Sequence, residues 1–193
     1  MKVFIRADAS TQIGTGHVMR CLTLAGDLRQ FGMEVSFISR ELPGDLCDYV
    51  ESKGFSVHRL IAEVDSKVDY WEWLGKNWLA DAKNTQGIIL NQTGEQSDIS
   101  SISTKDIISN QASPLDESLI NKSSKIAAHI FSDSNTSLKW GSNINLVVDN
   151  YALDHKWEQF LRPHVDKIMV IDDLANRTHD CDLLLDQNYY HDL

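Results

Sequence analysis

Short apolar runs of strand length alternate with stretches of helical periodicity along most of this chain, and that alternation is what most narrows its fold. Lys2 to Arg6 is a β-forming run that ends in a segment of Ser, Thr and Gly. From Val18 the apolar residues Val18, Cys21, Leu22, Leu24, Ala25, Leu28 and Phe31 recur at helical spacing, with Gly32 where a helix ends. Glu34 to Ile38 reads as a second strand. Asp45 to Lys53 follows as a helix capped by Asp45 and stopped by Gly54, and Phe55 to Leu60 as a third strand. Val68, Trp71, Trp73, Leu74, Trp78, Leu79 and Ala82 suggest a further, loosely amphipathic helix. The pattern resumes with Asn145 to Asp149 as a strand and Asp154 to Leu161 as a helix stopped near Pro163. Lys167 to Asp172 and Asp182 to Leu185 are the last strands. Each parallel crossover needs a helix to return the chain, so the expected class is α/β, a Rossmann-like parallel sheet with helices on both faces.

A chain of 193 residues fits one domain. Residues 91–143 interrupt it with a stretch dominated by Ser, Asn, Asp, Thr and Gln, read as a polar insertion. One helix is expected inside it, entered at Ser113-Pro114 and carrying Leu119, Ile120, Ala127, Ile130 and Phe131 on one stripe. The charge count of 18 basic against 28 acidic residues gives a net of -10 with no basic block, which argues against nucleic acid as a partner. Lys2 and Arg6 leave no apolar leader, no run reaches the roughly 18 apolar residues of a membrane span, and the three cysteines form no CxxC pair. The expected setting is the cytoplasm, with no membrane partner.

The sharpest local signal lies between the first strand and the first helix, from Arg6 to Arg20. Such a connection sits at the carboxyl edge of the sheet, where open α/β folds bind ligands. Gly14 and Gly16 allow close backbone approach, and the helix start offers unpaired N–H groups to an anion. The spacing is not GxGxxG, because Met19 stands at the third glycine position, so a nucleotide-binding oxidoreductase is disfavoured. His17 falls in the first helical turn, where the positive end of the helix dipole disfavours an imidazolium. It reads as a general base, or more plainly as an exposed or capping histidine. Asp8 could orient that ring, bind a sugar hydroxyl, or serve the turn. The aspartates at 149, 154, 172 and 173 suit magnesium ligation or helix capping, and His179-Asp180-Cys181-Asp182 reads as a turn into the last strand. Capping is the simpler reading, and no metal or other cofactor is expected.

Three blocks together carry a resemblance. They are Arg6-x-Asp8-x-Ser10-x-x-Ile13-Gly14-x-Gly16-His17-x-Met19-Arg20-x-Leu22-x-Leu24-Ala25, then Val147-Val148-Asp149-x-Tyr151-x-Leu153-Asp154, then the stretch from Val170 through Arg177 and His179 to Asn188. They resemble the amino-terminal half of the PseG-type UDP-sugar hydrolases of pseudaminic acid and spore-coat polysaccharide synthesis, over about residues 1–86 and 144–190, with Trp73-Leu74-Gly75 also fitting. The resemblance implies the amino-terminal half of a GT-B fold, with the site in a cleft between two Rossmann-like halves. It implies that His17 activates water for attack on an anomeric carbon, releasing UDP with inversion. It also implies that Gly14 and Gly16 shape the loop and that Asp8, Arg20, Tyr151 and Asp172 line the cleft. The family's second half, credited with most uridine diphosphate contacts, has no counterpart in these residues. The expected partners are therefore a UDP-sugar and a carboxy-terminal domain supplied in trans. Two alternatives stand beside this reading: half of a GT-B-like glycosyltransferase, which needs an acceptor, and a non-catalytic binding module.

Overall fold

The computed structural model of the protein describes residues 1–62, 78–92, 125–131 and 144–187. Among them is one sheet of six parallel strands: β1 (Lys2–Ala7), β2 (Glu34–Arg40), β3 (Ser56–Leu60), β4 (Ile144–Asp149), β5 (Lys167–Ile171) and β6 (Leu183–Leu185). Their order is β3-β2-β1-β4-β5-β6, so the chain leaves β1 in one direction and returns beside it as β4. The register pairs Lys2 with Ile144 and Ala7 with Asp149, which makes the boundary between β1 and β4 the topological switch point of the sheet. The Rossmann-like α/β arrangement expected from the alternation is the one observed.

Strand alternation divides the core into two layers. Val3, Ile5 and Ala7 of β1, Phe37 of β2, Val147 of β4 and Met169 of β5 point to the layer covered by α1 (Gly16–Gln30). The α1 stripe of Val18, Cys21, Ala25 and Leu28, at spacings of three and four, fills that side. The short helix α2 (Cys47–Ser52) adds Val50 to the same layer. Phe4, Ile38, Ile144, Leu146, Val148 and Val170 point the other way, under α3 (Trp78–Asn91) and α5 (His155–Leu161), which pack on each other. Every residue of β4 is buried, as a strand covered on both faces requires.

Several element limits differ from the sequence reading. Helix α2 begins at Cys47 because Asp45 is held in a turn by its own N–H to the Leu42 carbonyl, while its carboxylate still accepts from the Cys47 amide at 2.8 Å. Helix α3 runs to Asn91, well past Ala82, because Ala82, Thr85 and Ile89 continue its buried stripe. The polar stretch at 91–143 is also not wholly peripheral. Its residues 125–131 form a helix, α4, that buries Ala127, Ala128 and Phe131 in the α1 layer. The expected turn at Ser113-Pro114, Leu119 and Ile120, and the segment from Val68 to Trp73, lie outside the described residues.

The α3/α5 layer contains a charged cluster. Arg6, alternating with Phe4 on β1, points into it and is fully buried. Its Nη2 and Nε donate to Asp81 of α3 at 2.7 and 3.2 Å, and its Nη1 to Asp8 at 2.5 Å. Arg40, two places beyond Ile38 on β2, donates from Nη2 to the same Asp81 at 2.6 Å, and Trp157 Nε1 adds a bond at 3.0 Å. Two arginines and two aspartates balance, which is the condition under which buried charge is tolerated. Burial alone would push the Asp81 carboxyl up, but the Arg6 and Arg40 charges and hydrogen bonds overrule it and hold it at about 2.

The crossover from β5 to β6 has no helix, and side chains fix it instead. His179 stands between two carboxylates, Nδ1 against Glu158 of α5 at 2.6 Å and Nε2 against Asp172 at 3.0 Å. Arg162 Nη2 donates to the Asp180 carbonyl at 2.6 Å. His179 thus belongs to the turn that the sequence suggests, with named partners.

Candidate functional site

Residues from four strand ends converge at the switch point. Asp149 is the last residue of β4, and alternation turns its side chain, like Val147, to the α1 side. Helix α1 offers it three donors at the spacing that shares one helix face: His17, Arg20 and Cys21. His17 Nδ1 lies 2.5 Å from Asp149 Oδ1. Arg20 grips the same carboxylate with two nitrogens, Nε to Oδ2 at 2.5 Å and Nη2 to Oδ1 at 2.6 Å, while the Cys21 thiol reaches Oδ2 at 3.5 Å. Asp149 has no solvent exposure and His17 has 8%. Because a carboxylate oxygen only accepts, the imidazole donates from Nδ1, and Nε2 has no hydrogen-bond partner among the described residues.

Tyr151 forms the next wall. Its ring stands edge-on to the His17 ring with centroids 4.4 Å apart, and its hydroxyl donates to Asp173 Oδ1. Arg20 Nη1 closes the circle, to Asp173 Oδ2 at 3.2 Å and to Gln187 Oε1, beyond β6, at 3.1 Å. Burial and then the bond to Asp173 raise the Tyr151 phenol, so it stays a donor. For Asp173, burial raises the carboxyl, but Tyr151 and Arg20 outweigh it and the net shift is down. Burial, then the Asp149 charge, push the Cys21 thiol well above its ordinary range, which leaves it unsuited to act as a thiolate nucleophile.

The loop entering α1 is shaped by Ser10 and Gly14. The Ser10 hydroxyl accepts from the amides of Gln12 and Ile13 at 3.1 and 3.0 Å, and Gly14 N–H returns to the Ser10 carbonyl at 2.8 Å. Gly14 has φ +79°, a left-handed conformation that explains the glycine there. At Gly16 an added Cβ would meet nothing within 4 Å, so neither strain nor packing demands that glycine. Thr15 makes no side-chain hydrogen bond that caps the start of α1. The loop is braced from behind by Gly44, also left-handed at φ +79°, where a Cβ would lie 2.7 Å from Thr11 Cγ2. Gly44→Ala is expected to lower stability by about 1–3 kcal/mol. Gly16→Ala is the control expected to leave the urea midpoint in place, and equal midpoints for both would refute the bracing.

The structure brings together His17, Arg20 and Tyr151, with Gly14 and Gly16 leading into them. It does not place Asp8 or Asp172 with them. Asp8 alternates to the other face of β1 and is occupied by Arg6, by the Arg40 amide at 2.8 Å and by Asn150 Nδ2 at 2.9 Å. Asp149, not Asp8, holds the imidazole. Asp172 is turned toward His179 and the Leu174 amide, and its neighbour Asp173 faces Arg20. Sequence reasoning missed Asp149 and Asp173 as members of this group. Part of the signal for Asp149 lies in the sequence, since His17, Arg20 and Cys21 at spacings of three and four on a helix start are donors in need of an acceptor, but only the docking of β4 beside β1 selects Asp149 over Asp8. Among the described residues no group of three or more His, Cys, Asp or Glu is placed to hold a metal ion, and no helix is long and apolar enough to cross a membrane.

The chain matches no protein-family model. Over 57 residues it is 37% identical to "Uncharacterized protein MJ1062" of Methanocaldococcus jannaschii, a stretch amounting to 30% of this chain and 12% of that protein. The relative's name states no activity.

Proposed function

We propose that the protein is a nucleotide-sugar hydrolase, or the base-bearing half of one, that cleaves a UDP-deoxyamino sugar at the anomeric C–O bond. The observation that carries this reading is the His17–Asp149 pair at the switch point, Nδ1 held at 2.5 Å and Nε2 without a partner among the described residues. The resemblance to PseG-type hydrolases supplies the substrate class.

In the proposed reaction His17 Nε2 takes a proton from a water molecule as the water oxygen bonds to the anomeric carbon. The bond from that carbon to the phosphate oxygen breaks, and its electron pair leaves with UDP. Attack opposite the leaving group inverts the centre. The proton gained makes His17 an imidazolium whose charge Asp149 stabilises, as a base-orienting carboxylate does. UDP is a good leaving group, so a second catalytic carboxylate, required for poor ones, is unnecessary. The uncapped start of α1 suits an anionic phosphate beside the reacting carbon.

The test is UDP release from a panel of UDP-deoxyamino sugars in buffer without an acceptor, by the chain alone and with the carboxy-terminal half of a related hydrolase added. UDP and free sugar in equal amounts are expected in the presence of the added half. Release only when an acceptor hydroxyl is supplied would make the chain part of a glycosyltransferase. No release under any of these conditions would favour a non-catalytic binding module.

A further inference from the structure

Arg20 is implied by resemblance to line the cleft, yet its donors are already in use. Nε and Nη2 bind Asp149, Nη1 binds Asp173 and Gln187, and Nη2 also lies 3.3 Å from His17 Nδ1. A guanidinium has five N–H groups and no acceptor, so little remains with which to grip a phosphate. Something else must explain a cation set against the ring of the intended base.

We propose that Arg20 is a positioning residue whose charge keeps the His17 ring neutral and its Nε2 open to a proton. The inference rests on reading His17 as the base. A buried aspartate alone beside a histidine favours the imidazolium, in which both ring nitrogens carry hydrogen and neither can accept. Arg20 cancels the Asp149 charge through a two-pronged grip that shares Oδ1 with His17, and with Nη2 3.3 Å from His17 Nδ1 a second positive charge on the ring would sit within hydrogen-bonding range of the first. The remaining groups around the ring are Cys21 and Tyr151, which are neutral donors, and Asp173, which lies beyond Arg20 and draws part of its charge away. Arg177, 5.6 Å from the Tyr151 ring centroid, is paired with Asp172. Burial opposes the Arg20 charge, but the Asp149 bonds and charge, then Asp173, outweigh it and keep the guanidinium firmly protonated. Arg20 thus does two things at once: it fixes the Asp149 plane that orients the ring, and it sets the charge against which the ring would be protonated.

The test follows the imidazole ¹⁵N signals of His17 through a pH titration without substrate, with the resonance assigned by its loss in His17→Gln. Arg20→Met is expected to raise the His17 midpoint by about one pH unit or more. Arg20→Lys, which keeps the charge but loses the two-pronged grip, is expected to stay near the wild-type midpoint while still lowering turnover. Asp173→Asn, at a partly exposed position, is expected to lower the midpoint and provides the reading if Arg20→Met does not fold. A midpoint that is unmoved or lowered in Arg20→Met, or raised in Asp173→Asn, overturns the proposal. Because the titration needs no turnover, its failure is separate from a failure to release UDP, which would sink the hydrolase reading instead.

Discussion

Replacing His17 by alanine is expected to cut UDP release by about 10²–10⁴-fold, the usual contribution of a positioned general base. The fold should survive, for a reason specific to this site. Asp149 loses one donor but keeps both Arg20 contacts and the Cys21 thiol, so no buried charge is abandoned. The cost to stability is that of one charge-assisted hydrogen bond and a ring contact with Tyr151, about 1–3 kcal/mol. Circular dichroism and a urea midpoint establish the second half of the expectation, and a UDP-coupled assay the first. Retention of wild-type hydrolysis by a folded His17→Ala protein would remove His17 from the base position.

Asp81→Ala is expected to have the opposite profile, a large loss of stability with the groups around His17 untouched. It strips one carboxylate from two buried arginines and from Trp157 Nε1, and breaking a buried ion pair from one side costs about 3–5 kcal/mol. That is a large share of the roughly 5–15 kcal/mol by which a typical domain is stable. The same carboxylate should show itself in acid. Its folded value of about 2 lies below the ordinary 3.8, so its contribution is complete above the unfolded value and is lost as pH falls from there toward 2. At 1.36 kcal/mol per pH unit the contribution is about 2 kcal/mol. The stability gap between wild type and Asp81→Ala, from urea midpoints, should therefore be smaller at pH 3 than at pH 7 by about 1 kcal/mol, without closing. A variant within about 0.5 kcal/mol of wild type at pH 7 would show that the cluster contributes nothing beyond an ordinary surface position.

Most of the sheet was legible because parallel strands buried on both faces read as near-continuous apolar runs, as in Leu146 to Val148 and Ile168 to Ile171. Helix α1 was legible for a different reason, its stripe of Val18, Cys21, Ala25 and Leu28. The end of α3 was not, since Thr85 and Gln86 look polar and only tertiary packing shows that Thr85 is buried. In the site, His17 could be placed at the helix mouth from local sequence alone. Which aspartate would meet it could not be decided locally. Asp8 lies just beyond β1 and Asp149 ends β4, and the choice rests on the face each takes when β4 docks beside β1. The same parity separates Asp172 from Asp173, adjacent residues that serve opposite sides of one turn. Arg6 looked like a strand boundary, and only the arrival of α3 explains a cation inside the sheet layer.

The position of β1 between β2 and β4 governs the order in which the molecule can be made. On a growing chain, β1, α1, β2, α2 and β3 emerge together and can pair through short crossovers, yet the other flank of β1 stays bare until residue 144 has been synthesised. His17 and Asp149 are 132 residues apart, so this contact carries one of the larger loop-closure penalties in the molecule. The pairing of His17 with Asp149 is accordingly a late folding event. Until it happens, the ribosome-bound amino-terminal half presents an unpaired strand edge, a row of free backbone N–H and C=O groups, that a chaperone would be expected to cover.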